Sequence, residues 1–148
     1  MDFTVQSKQR VKSLCAQATA LEEKFENEIN AAVISKNKFN AEGDEAERKN
    51  SVHMYGMAWK TGKKILSVKE QLRAETSALS QAQRYLHDQA DPDDTSEAKL
   101  HAADAEYYYS MSKRAAAEHD EYVKKCKSTI ESIAVLRTKA PKNTIVSV

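Results

Sequence analysis

Four histidines and twenty-two carboxylates are enough to build a metal centre, provided they fall at ligating intervals. The centre most natural to a helical chain is a di-metal carboxylate site, which needs inward glutamates and a Glu-x-x-His step on two helices. The residues three before His53, His87, His101 and His119 are Asn50, Arg84, Ala98 and Ala116, so that step is missing at every histidine. There is no His-Glu-x-x-His zinc helix, no phosphate-cradling glycine loop and no nucleophile elbow. The one grouping left is His87 and His101 with Asp91, Asp94 and Asp104 near a helical turn. Helix capping and dipole effects alone account for aspartates there. Cys15 and Cys126 are not at metal-ligand spacing and read as free, buried thiols. The expectation is a non-enzymatic chain with no metal and no cofactor.

Residue patterns suited to binding are easier to find. Tyr107-Tyr108-Tyr109 sweeps about 200° of a helix surface, so one core cannot take all three rings, and Tyr109 is expected outside as a partner anchor. Met54 and Met57, in the segment Met54-Tyr55-Gly56-Met57-Ala58-Trp59, offer adaptable apolar contacts for a partner. Gly56 and Gly62 each cost up to about 1 kcal/mol in a helix unless something packs close against them. Lys60, Lys63 and Lys64 fall at nearly the same height as Lys124, Lys125 and Lys127, and Lys60, Lys64, Lys124 and Lys127 are the candidates for an anionic docking level. The last residues, Asn143 to Val148, switch to β-branched types after Pro141. Val146 and Val148 match the apolar-x-apolar terminus that some PDZ-type domains take as an added strand.

The elements that must position these residues are long helices. Three glycines and two prolines in 148 residues leave too little turn chemistry for a many-stranded fold. Apolar and small residues recur in steps of three and four over about 4–40 (Val11, Leu14, Ala18, Leu21, Phe25), 44–90 (Val52, Tyr55, Trp59, Ile65, Leu72, Leu79) and 95–138 (Leu100, Tyr107, Met111, Tyr122, Ile130, Leu136). Gly43 suits the position past a helix end, Asp44 with Glu47 and Asp94 with Glu97 have capping-box spacing, and Asp91-Pro92 punctuates the second turn. Two tight turns imply an elongated antiparallel three-helix bundle, up-down-up and all-α, over residues 1–140, followed by an extended tail at 141–148. Counting heights from the second turn sets Leu86 against Leu100, Leu79 against Tyr107 and Leu72 against Met111. The same count puts Trp59 inside, in a layer with Phe25, Tyr122 and Cys126.

A formal net charge of +1 provides no global field for nucleic acid, and membrane attachment, while open to a lysine-rich dimer, is the less favoured reading. The polar amino terminus and the lack of an 18-residue apolar run point to the cytosol. The stripes on the second and third helices are wider than a three-helix core requires. Surplus apolar surface is usually covered by another chain, so the expected function is a protein-interaction or scaffold module of coiled-coil type that self-associates into a homo-oligomer.

Overall fold

The computed structural model describes residues 3–139. They form three helices, α1 (Phe3–Glu42), α2 (Glu45–Gln89) and α3 (Thr95–Thr138), an all-α three-helix bundle with bounds within a residue or two of those expected. Gly43 takes φ 72° and its N–H donates to the Phe39 carbonyl at 2.7 Å, closing α1 in the left-handed conformation that glycine adopts without a Cβ penalty. Asp44 Oδ1 accepts from the Ala46 N–H at 2.9 Å, and Asp94 Oδ1 from the Glu97 N–H at 3.0 Å, so both capping aspartates hold their helix starts. Among the described residues no helix is long and apolar enough to cross a membrane. The expected tail lies outside the described residues.

The chain divides into two compact units, each taking a segment of all three helices. Unit 1 comprises Met1–Thr19 and Leu66–Asp120; unit 2 comprises Ala20–Ile65 and Glu121–Val148. In unit 2 the buried positions step by three and four: Phe25, Glu28, Ala32, Ser35 and Phe39 on α1, Ser51, Tyr55, Ala58, Gly62 and Ile65 on α2, and Tyr122, Cys126, Thr129, Ile133 and Leu136 on α3. This is the 3.5-residue period of coiled-coil packing. In unit 1 the same spacing brings Val11, Leu72, Leu79 and Ala115 into one cluster, with Leu14, Tyr108 and Met111 packed against it.

Much of this interior is small or hydroxylated, and several of its hydroxyls donate to backbone carbonyls of a neighbouring helix. Ser51 Oγ donates to the Ala32 carbonyl at 2.7 Å, Ser80 Oγ to the Ala105 carbonyl at 2.7 Å and Ser112 Oγ to the Arg73 carbonyl at 2.9 Å. The last two cross from α2 to α3 at pairings within a residue or two of those counted from the turn. Together with Leu72 and Met111 in one cluster, they establish the antiparallel register in unit 1.

The rotation of the helices differs from the expectation at several large residues. Trp59 is half-buried, not interior, and the place beside Phe25 and Cys126 belongs to Gly62. Ala58 and Gly62 occupy the inward steps, and one residue of offset turns a side chain by about 100°. Leu100, Tyr107 and Ile130, expected on the α3 stripe, are exposed, while Thr129 takes the inward place beside Ile130. Both thiols are free, with Cys126 buried and Cys15 half-buried.

Candidate functional site

In unit 2 the heptad positions on either side of the buried steps face different neighbours. On α2, Thr61 donates to Glu28 of α1 at 2.6 Å, so the flank that carries Met54 and Thr61 faces α1. Met54 and Met57, both half-buried, line a shallow groove with Ala20, Glu23, Lys24, Asn27 and Glu28, all of α1. The two candidate methionines therefore belong to an α1–α2 surface. Glu28 is only 5% exposed, and its Oε2 is buried without a hydrogen-bond partner among the described residues.

The α1–α3 side of unit 2 holds a groove of about 500 Å³ lined by Phe25, Ile29, Val33, Tyr55, Tyr122 and Lys125, among others. Phe25 and Tyr122 meet edge to face at 5.4 Å, and Lys125 Nζ sits 4.6 Å from the Tyr122 ring centre while also pairing with Glu121 at 3.4 Å. Because Lys125 and Ser132 look toward α1, Val123 and Ile130 lie on the opposite flank of α3, toward α2. By the same phase, Trp59 lies on the α2 flank opposite Thr61, toward α3.

Nearest that α2–α3 flank are Lys63 and Lys127, with Lys60 and Lys124 on the outer faces of their helices, all four exposed. Lys63 Nζ lies 5.8 Å from the Trp59 ring centre. Lys64, also exposed, is turned toward the methionine side of α2. The six lysines thus share a level but not a face. Burial pushes the Cys126 thiol above its ordinary range, with Lys63 pulling weakly the other way, so the thiol is held neutral and is a poor nucleophile.

In unit 1 the tyrosine run splits differently from the expectation. Tyr109 is exposed, with Lys113 Nζ 4.6 Å and Arg84 5.6 Å from its ring, but Tyr107 is exposed further still, and only Tyr108 is partly covered. Burial raises the Tyr108 hydroxyl above its usual range. The histidine and aspartate grouping is dispersed among other partners. His101 Nδ1 meets Gln83 Oε1 at 2.8 Å and its Nε2 lies 3.5 Å from Glu97, His87 sits 3.2 Å from Asp88, and Asp104 pairs with Lys8 at 3.2 Å. Among the described residues no three His, Cys, Asp or Glu side chains come together as a metal site. Val146 and Val148 lie outside the described residues.

The flanking pair Val123 and Ile130 was missed by a search for apolar stripes, which counted Ile130 as core. The available signal was their seven-residue spacing, one step off the buried positions. Compared with protein-family models, curated proteins and solved structures, the chain matches none.

Proposed function

We propose that this chain is a non-enzymatic helical interaction module that associates with a second copy through apolar surface left outside the core on α2 and α3. The observation that carries the reading is in unit 1. Tyr85 on α2 is 64% exposed, and Leu100 and Tyr107, one heptad apart on α3, are 61% and 58% exposed. Large apolar side chains at heptad spacing are what one helix offers another in a coiled coil. Leu100 and Tyr107 share the α3 flank of Asp104, which pairs with Lys8 of α1, and charges of both signs neighbour them along α3 at Lys99 and Glu106. A self-complementary contact can therefore form without like-charge repulsion.

Sedimentation of the full chain over a range of concentrations tests this. The expected result is a reversible dimer that Leu100→Asp or Tyr107→Lys weakens while helicity is unchanged. Met57→Lys, on the α1–α2 groove, is the companion variant and reports whether the methionine surface contributes. A chain that stays monomeric at every concentration removes the reading.

A further inference from the structure

The α2–α3 flank of unit 2 is different in kind, because lysines outnumber carboxylates around its apolar centre: Lys60, Lys63, Lys124 and Lys127 against Glu131, which follows Ile130. Val123 and Ile130 are 45% and 46% exposed and stand one heptad apart, about 10.5 Å along α3. Trp59 flanks them from α2, half-buried, and beside it Gly56 leaves open space, with nothing within 4 Å of where a Cβ would stand. Lys63 on α2 and Lys127 on α3 border the row, and Lys60 and Lys124 stand one step further out, on the faces turned away from the core.

We propose that this face binds an acidic amphipathic helix of a partner protein, whose apolar stripe lies over Trp59, Val123 and Ile130 and whose carboxylates meet the four lysines. Heptad spacing favours a helix as the occupant, since side chains at seven-residue intervals between two helices are the holes that a third helix's knobs fill. Charge selects its chemistry. A second copy docked face to face would set four lysines and one glutamate against the same set, and the excess of like charge opposed across the interface costs affinity, so the occupant is not this chain by the same face. An anionic bilayer is the poorer fit: the tryptophan is half-covered, whereas attachment to a membrane needs protruding apolar groups or a larger basic cluster. The inference rests on the reading of the chain as a helix-binding module but not on its self-association.

The test uses the full chain and three probes: a synthetic helix of about three heptads with Leu and Ile on its stripe and Glu elsewhere, the same peptide with Lys for Glu, and vesicles containing phosphatidylserine. The chain has one tryptophan, so its emission reports directly on the face. The acidic peptide should bind, move Trp59 emission to shorter wavelength and lose affinity with added salt, while the basic peptide should not bind. Lys63→Glu with Lys127→Glu should lower the acidic peptide's affinity by at least about tenfold, and Ile130→Asp should do the same with no change in helicity. Failure of the acidic peptide to bind, equal binding of both peptides, or vesicle binding tighter than peptide binding and abolished by the same variants would each overturn the proposal. Sedimentation separates it from the reading beneath it. Acidic-peptide binding by a monomer leaves this inference standing and ends self-association, and a dimer that ignores the peptide does the reverse.

Discussion

Gly56 and Gly62 sit six residues apart on α2, on different faces, and replacing each by alanine should have different effects on stability. In a helix interior, glycine is about 1 kcal/mol less favourable than alanine because it loses more backbone freedom on folding. At Gly56 the added methyl meets nothing within 4 Å, so that gain should appear almost whole, as about 0.5 to 1 kcal/mol of added stability. At Gly62 the same methyl would lie 2.5 Å from Cys126 Sγ and 3.3 Å from Phe25 Cε2. Both neighbours are buried, and the sulfur hangs on a single torsion, so neither can withdraw freely. Overpacking of this kind costs about 1 to 3 kcal/mol. Set against the propensity gain of about 1, Gly62→Ala should be neutral to destabilising by about 2 kcal/mol. Urea unfolding of the two variants beside the parent measures the difference. Cys126→Ala should in turn relieve part of the Gly62→Ala cost, since it removes the clashing sulfur, and the double variant should be more stable than the two single effects predict. If Gly62→Ala stabilises as much as Gly56→Ala, the close approach at Cys126 is wrong.

Thr61→Val should cost about 1 to 3 kcal/mol, because it takes away the hydroxyl on Glu28 Oε1 and leaves both carboxylate oxygens buried without a donor. Glu28→Leu combined with Thr61→Val should recover most of that loss, since an apolar pair leaves nothing unpaired, and a double variant no better than Thr61→Val would refute the account. Stability should also fall as pH rises past the ordinary thiol value of 9.0, because unfolding frees Cys126 to ionise while burial keeps the folded thiol protonated above it. The contribution is complete below that value and is lost on raising pH through it. Cys126→Ala should flatten this part of the urea-midpoint profile, and an unchanged slope would show that Cys126 is not its source.

The helix ends and the α2–α3 register were legible because they rest on local chemistry: Gly43 past α1, the aspartate caps and the Asp91-Pro92 break each act through one or two backbone groups. The rotation of each helix was not, because a stripe sought by hydropathy is drawn toward its largest members. It kept Trp59 on the inward stripe beside Ala58, and it took Ile130 where Thr129 is the buried residue. Serine and threonine add almost nothing to such a count, yet Ser35, Ser51, Thr129 and Ser112 hold inward positions. The hydroxyls of Ser51, Thr129 and Ser112 bond backbone carbonyls, which removes the penalty for burying them.

The lost rotation and the candidate surfaces have one cause. Where Ala58 and Gly62 fill the buried steps of α2 beside Phe25 and Cys126, there is little room between the helices, and a Cβ at Gly62 is already too much. At this layer a tryptophan has no space inside, and Trp59 is turned half out to the flank. Val123 and Ile130 stand one step off the buried Tyr122 and Thr129, outside a core that Phe25, Tyr55, Ile65 and Leu136 already fill. Enlarging that core would be expected to loosen the fold without burying them. What covers such residues must come from elsewhere, and on the α2–α3 flank the excess of lysine over carboxylate sets its charge.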